Sequence, residues 1–141
     1  MLETSPILLP VFVLVLWSLV QMLWMVSTRL PAIGQAKLGA DAGQRTAELG
    51  DQLPKSVQWK ADNYNHLMEQ PTIFYATAIA LAVVGLGTGL NLYLAWLYTG
   101  SRVVHSIVHS TVNNVMARFM IFLVGSISLA VMAVNGVLQM L

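Results

Sequence analysis

The segment formed by residues 96–119 carries cationic, histidine and amide side chains inside an otherwise apolar stretch of chain. Arg102, His105, His109 and Asn113 stand at i, i+3, i+7 and i+11, which predicts that they share one side of a helix. Guanidinium groups bind carboxylates, and a pair of histidines at i and i+4 can bind a metal. This face therefore predicts a binding site for an anion or a metal.

A second group of polar side chains lies upstream, just before another apolar stretch. Asp62, His66 and Glu69 stand at i, i+4 and i+7, which also places them on one side of a helix. Arg118 follows shortly after the first group, at the predicted start of the last helix. Together these residues predict a polar seam between helices, with both signs of charge and several hydrogen-bond donors and acceptors.

The elements that position this seam must lie in an apolar environment. The chain is 57% hydrophobic and only 9% charged, whereas soluble domains are about 25% charged. A soluble domain of this size would expose too much apolar surface, so we predict a single membrane domain spanning residues 1–141. A net charge of +1 offers no basic face for nucleic acid, and the lack of cysteine excludes a cysteine nucleophile.

Three uncharged runs define the membrane crossings. Residues 4–28 and 119–141 each have the length of one crossing, but residues 71–101 are too long for one. The glycine-rich "GLGTGLN" at residues 85–91 predicts a turn that divides the middle run. We therefore predict an all-α, integral membrane four-helix bundle. Its helices are expected at about residues 5–29, 57–86, 90–114 and 117–140, with a loop over about residues 30–56.

The distribution of cations predicts the orientation of the bundle. Most of them lie in or beside the loop between the first two helices, and the turn at residues 85–91 has none. By the positive-inside rule this loop is cytoplasmic and both termini are outside. These cations are Arg29, Lys37, Arg45, Lys55 and Lys60.

Charged groups at membrane depth need partners. At about 1.5 Å of rise per residue, Arg102 lies about 18 Å and Glu69 about 13 Å from the cytoplasmic ends of their predicted helices. An isolated charge at such depth costs about 2.5–3.5 kcal/mol on insertion scales. We therefore predict that both side chains face the bundle interior and that Glu69 pairs with Arg102.

Three interpretations of the seam follow from the residues. The seam could hold helices together through hydrogen bonds and a neutralised ion pair. His105 and His109, with His66 and Glu69 as further ligands, could bind a metal or haem. Alternatively, arginines and Glu69 could hold a polar, charged small molecule at the membrane boundary.

The motifs "NYNHLMEQPTIFY" (residues 63–75) and "WLYTGSRVVHSIVHSTVNNVMARF" (residues 96–119) resemble those of the MAPEG superfamily, the membrane-associated proteins in eicosanoid and glutathione metabolism. The resemblance covers essentially the whole chain. It implies a homotrimer of four-helix bundles in the lipid bilayer, here of a bacterial inner membrane. It also implies that glutathione binds between subunits near the cytoplasmic side and attacks a hydrophobic electrophile, as in a glutathione transferase or peroxidase.

The resemblance assigns roles to particular residues. Arg118 matches the arginine that stabilises the glutathione thiolate and is the implied catalytic residue. Glu69 would bind the glutamyl ammonium group, and Arg102 would be its structural partner. The implied cofactor-binding set is Arg29, His66, Glu69, Arg102, His105 and His109, with no metal ligand.

Four positions depart from the pattern of the family. Asp62 stands where several members have arginine, and His66 where many have asparagine. His109 replaces a frequent tyrosine, and Phe119 replaces a serine found in some members. Replacing a cation by Asp62 predicts weaker binding of glutathione, a net anion, whereas protonated His66 and His109 would partly replace cations at low pH.

Overall fold

The computed structural model describes residues 4–141, and every regular element in that range is a helix. The long helices pack side by side. Helix α5 runs along α6, and α1 contacts α3, α5 and α4. The elements are α1 (Leu8–Gln35), α2 (Thr46–Leu49), α3 (Lys55–Leu67), α4 (Pro71–Val83), α5 (Gly89–Ser110) and α6 (Val115–Met140).

The first helix is longer than the sequence predicted. It continues past Arg29 to Gln35 and contains Pro31. A proline removes one backbone donor, and Pro31 lies close to the helix end, so only a single late hydrogen bond is lost. The loop therefore begins at Ala36 and not at residue 30, and it contains only the short helix α2.

The helix predicted at residues 57–86 is divided into α3 and α4. Helix α3 ends at Leu67 with Met68 as its C-cap, and α4 starts at Pro71. Proline cannot donate to the preceding turn, but it fits the first position of a new helix, where the donor is not needed. The interruption changes which side chains at residues 68–70 face inward, and this determines the geometry of the candidate site.

The third predicted helix ends early. Helix α5 stops at Ser110, four residues before the expected end, and Asn113 adopts a positive φ of 52°. Asn113 therefore lies in the α5–α6 connection and not on the face of α5. Asn114 caps α6 by accepting a hydrogen bond from the Ala117 N–H at 2.9 Å.

A close backbone contact joins the α4–α5 turn to the start of α1. A Cβ at Gly87 would lie 2.0 Å from Ser5 Oγ and 2.8 Å from Ile7 Cγ2. Only glycine leaves room for this approach. The glycines of the predicted turn therefore do two things, because they end α4 and allow α1 to pack over the turn.

The protein is apolar outside and polar in part of its interior. Large hydrophobic side chains are exposed along the helices, such as Phe12 and Leu23, both 63% exposed. Arg102 is only 1% exposed, and His105 and His109 are also buried. Two helices within residues 4–141, α1 and α6, are long and apolar enough to cross a membrane. A soluble protein would bury the large apolar side chains and expose the charged ones.

Candidate functional site

The guanidinium group of Arg102 occupies the centre of the polar interior. Its Nε donates to the Tyr98 hydroxyl at 3.1 Å, and its Nη1 donates to His66 Nε2 at 3.2 Å. Its Nη2 donates to Gln70 Oε1. The Phe122 ring covers the group, with its centroid 5.0 Å from the guanidinium carbon. Neutral groups therefore surround this buried cation.

The predicted ion pair between Glu69 and Arg102 is wrong for the single chain. Glu69 Oε2 lies 3.2 Å from His66 Nδ1, and its side chain is 69% exposed. The break between α3 and α4 explains the difference, because it turns Gln70 inward and leaves the neighbouring carboxylate on the outside. The ring of His66 lies between the two charges that were expected to meet.

Gln70 connects three helices at this break. Its Oε1 accepts from Arg102 and from the Tyr98 hydroxyl, the latter at 3.3 Å. Its Nε2 donates to Ser126 Oγ at 2.9 Å. Sequence reasoning missed Gln70, although an amide directly before Pro71 in an apolar context was a usable signal.

The three histidines form one cluster. The ring centroids of His66 and His105 are 4.9 Å apart, and those of His105 and His109 are 5.7 Å apart. His66 and His109 are separated by 6.2 Å. No group of three His, Cys, Asp or Glu side chains within residues 4–141 is arranged to hold a metal ion. The cluster instead offers ring N–H groups and ring nitrogens to a polar ligand.

A buried hydrogen-bond network supports the histidine cluster from the side of α1. Asn63 Nδ2 donates to Gln21 Oε1 at 3.1 Å and to Ser106 Oγ at 2.7 Å. Ser110 Oγ also donates to Gln21 Oε1, at 3.4 Å. These bonds join α1, α3 and α5. Gln21 was not singled out from the sequence, although it is the only amide within the first apolar run.

Two buried polar atoms of this region have no hydrogen-bond partner within residues 4–141. They are Asn63 Oδ1 and His109 Nδ1, on side chains that are 0% and 4% exposed. A buried polar atom without a partner costs about 1–3 kcal/mol. Such atoms favour a region that accepts water or a polar ligand.

Arg118 lies in the first turn of α6 and faces a cleft of 240 Å³. Its Nη1 donates to Asn113 Oδ1 at 2.6 Å, whereas its buried Nε has no partner in the part of the chain that the structure describes. The cleft is lined by His66, His105, Val115, Arg118, Phe119 and Phe122. It combines a cation, two imidazoles and two phenyl rings, so it suits an anion attached to an apolar group.

The structure separates the predicted site residues into three positions. His66, His105 and Arg118 line the cleft, whereas Arg102 and His109 lie beside it without lining it. Glu69 lies on the exterior of the chain. Arg29 does not line the cleft, and the exposed Asp62 accepts a hydrogen bond from Gln58 at 2.8 Å.

Residues 4–141 are all-helical, with an apolar exterior, a polar interior and two membrane-length helices, and these features indicate a membrane protein. The comparison with protein families identifies the class. The model of the MAPEG family matches residues 7–138, nearly the whole chain, and the protein belongs to this family. No curated protein and no solved structure shows significant similarity to the chain.

Proposed function

We propose that this protein is a membrane-embedded, glutathione-dependent transferase or peroxidase-like enzyme. The observation that carries the proposal is Arg118, whose buried Nε lacks a partner among the described residues 4–141 and whose side chain faces a cleft with two histidines. Family membership supports a role in glutathione chemistry. The chain has no cysteine, so the reactive thiol has to come with the ligand.

The proposed chemistry is ionisation of the bound thiol. A free thiol has a pKa near 8.5, and a neighbouring guanidinium stabilises the thiolate. Arg118 would supply this positive charge, His105 would bind a polar group of the ligand, and His66 would line the cleft beside it. The thiol proton leaves to water, and the thiolate attacks the electrophile. The protein contributes positioning and stabilisation of an anion.

The cleft also explains why the second substrate would be hydrophobic. Phe119 and Phe122 line it next to Arg118, and the surrounding helix surfaces are apolar. A hydrophobic electrophile dissolved in the bilayer would therefore meet the thiolate without crossing water. The phenyl ring of Phe119 favours an apolar substrate at this wall.

The exposed carboxylate of Glu69 supports assembly. A charge on the apolar exterior of a membrane protein is costly, so we propose that a second copy of the chain covers it in a homotrimer. Each chain would contribute four crossings, formed by α1, the bent pair α3–α4, α5 and α6. The ligand would lie between subunits, where Glu69 could bind its ammonium group and Arg29 of another copy could complete the site.

The proposed topology follows from the same elements. The loop between α1 and α3, together with Arg118, would face the cytoplasm of a bacterium, and both termini would lie outside the inner membrane. A cysteine introduced at Asp51 would be protected from a membrane-impermeant thiol reagent in intact cells. Its labelling from outside would contradict this orientation.

Turnover and ligand binding test the proposal together. Purified protein in detergent should conjugate reduced glutathione to 1-chloro-2,4-dinitrobenzene, forming a carbon–sulfur bond and releasing chloride. Glutathione should also raise the melting temperature, because a ligand that binds only the folded state stabilises it. S-methylglutathione should stabilise without turnover. A protein with neither turnover nor a thermal shift would contradict the enzyme proposal.

A second candidate is a structural membrane protein without catalysis. It is favoured by Arg102, because each of its three guanidinium nitrogens donates to a group of the chain, namely Tyr98, His66 or Gln70, without any ligand. On this account Glu69→Gln would impair assembly and Arg118→Ala would change little. Measuring oligomeric state and turnover for both variants separates the two candidates.

A further inference from the structure

We propose that His66 is a positioning residue that connects Arg102 to Glu69 and holds the Glu69 carboxylate for the ammonium group of a ligand. This inference rests on the proposed function, because the ligand is the amino-group-bearing thiol assigned above. The connection itself is a property of the ligand-free protein and is testable without any ligand.

The geometry of the connection is continuous. Arg102 Nη1 lies 3.2 Å from His66 Nε2, and His66 Nδ1 lies 3.2 Å from Glu69 Oε2. The imidazole therefore bridges a buried cation and an exposed carboxylate. The His66 side chain is 23% exposed, so the bridge passes from the interior to the exterior of the chain.

The chemistry of arginine fixes the state of the histidine. A guanidinium group has only donors, so His66 Nε2 must accept and cannot carry a proton. In the neutral ring the proton is then on Nδ1, which donates to Glu69. The tautomer follows from the partners of both ring nitrogens.

The bridge has a consequence for the carboxylate. One oxygen of Glu69 is held by the imidazole, whereas no group within residues 4–141 donates to its other oxygen, Oε1, which can accept from a ligand. Tyr98 and Gln70 hold the other two nitrogens of Arg102, which keeps its Nη1 beside His66. The negative charge is therefore held at a defined place beside the cleft that His66 and Arg118 share.

The bridge also gives a reason for histidine at this position. Asparagine is too short to bring both an acceptor to Arg102 and a donor to Glu69 from the same backbone site. Glutamine has an amide oxygen and an amide nitrogen at greater reach, so it can partly replace the ring. Leucine has a similar size and offers neither group. His66→Gln and His66→Leu therefore form a matched pair, in which only the first variant keeps hydrogen-bonding groups.

Nitrogen NMR tests the bridge directly. The chain has three histidines, so protein labelled with ¹⁵N-histidine gives few ring signals, and His66→Gln identifies those of His66. We expect the Nδ1–H tautomer for His66. Glu69→Gln should shift its N–H signal, because a neutral acceptor replaces an anion, whereas Glu48→Gln in α2 should not. An Nε2–H tautomer, a doubly protonated ring or an unshifted signal would overturn the proposal.

Ligand binding tests what the held carboxylate does. By titration calorimetry, His66→Leu should raise the Kd of glutathione about tenfold, the scale of one charge-assisted hydrogen bond, and His66→Gln should raise it about twofold or less. N-acetylglutathione lacks the ammonium group, so its Kd should be the same for wild type and His66→Leu. Equal weakening of both ligands would show a merely structural role and overturn the proposal.

The two measurements separate the inference from the proposed function. If the wild-type protein binds no glutathione, the proposed function fails, and the NMR result still decides whether His66 holds Glu69. If glutathione binds but His66 is not in the expected Nδ1–H form, the proposed function stands and the positioning role is rejected.

Discussion

The two halves of the helix packing differ in what they bury. The apolar half contains the start of α1, helix α4 and the end of α6, with Leu14, Phe74 and Met132 completely buried. The polar half contains the rest of α1, helix α3, the end of α5 and the start of α6 with Arg118, and it buries Arg102 and Asn63. One chain therefore combines a packed apolar interior with an interior of charged and amide groups.

The difference shows in which half the burial of side chains costs free energy. Buried apolar groups in the first half need only good packing, since lipid is as apolar as leucine. Buried polar groups in the second half each require hydrogen bonds, and no group of the described chain, residues 4–141, supplies one to Asn63 Oδ1 or His109 Nδ1. A stable fold alone does not need such groups, so we assign stability mainly to the apolar half and ligand binding to the polar half.

The largest effect is expected at Arg118. Arg118→Ala should lower the kcat of glutathione conjugation about 100-fold or more, because it removes the cation that stabilises the thiolate. The melting temperature of the ligand-free protein should change little, since Nη1 makes a single hydrogen bond to Asn113. Steady-state kinetics and thermal melting in the same detergent measure both quantities.

A matched control for Arg118 is Arg118→Lys, which keeps a positive charge and should retain part of the turnover. An equal loss of turnover in both variants would mean that the planar hydrogen-bonding geometry of the guanidinium matters more than its charge. Full activity of Arg118→Ala would contradict the division into two halves.

The next effect is expected in the apolar half. Leu14→Ala should lower the free energy of unfolding by about 2 kcal/mol, the low end for such a change in a core. Surrounding lipid reduces the transfer contribution, and mainly the lost packing remains. The Kd of glutathione should be unchanged. Chemical denaturation in mixed micelles measures the first quantity and calorimetry the second.

Leu16→Ala is the control for Leu14, because Leu16 lies on the same helix and is 62% exposed. It should leave the free energy of unfolding within about 0.5 kcal/mol of wild type. If Leu14→Ala weakened glutathione binding as strongly as it destabilised the fold, the two halves would not be independent.

The smallest effect is expected at the polar contact within the apolar half. Asn135 Nδ2 donates to Asn91 Oδ1 at 3.0 Å, and Asn91 Nδ2 donates to the Leu86 carbonyl at 2.9 Å. Asn135→Leu should cost about 0.6 kcal/mol, the average of interhelical hydrogen bonds in membranes. A change of turnover in this variant would show that this contact serves more than packing.

The inward face of α5 could be predicted from the sequence because helical spacing is a local property. The spacing i, i+3 and i+7 alone places Arg102, His105 and His109 on one face of a helix, and the structure buries all three. The family was also predictable, since the motifs extend over the chain, and the match over residues 7–138 confirms it. The site roles of these residues stay predictions.

The partners of the buried groups could not be predicted in the same way. The pairing of Glu69 with Arg102 assumed one continuous helix from residue 57 to residue 86. Pro71 starts a new helix, and the break exchanges the directions of Glu69 and Gln70. Which side chains pair between separate helices depends on the geometry of such breaks, and the spacing of residues in the sequence does not give that geometry. The Gln21–Asn63 contact was missed for the same reason.

The ultraviolet absorbance of the glutathione thiolate tests the central claim most directly. Adding glutathione to the purified protein at neutral pH should produce thiolate absorbance in wild type and none in Arg118→Ala, with S-methylglutathione as the blank. Wild-type protein that binds glutathione without this absorbance, or that does not bind it, would contradict the assignment of the cleft beside Arg118.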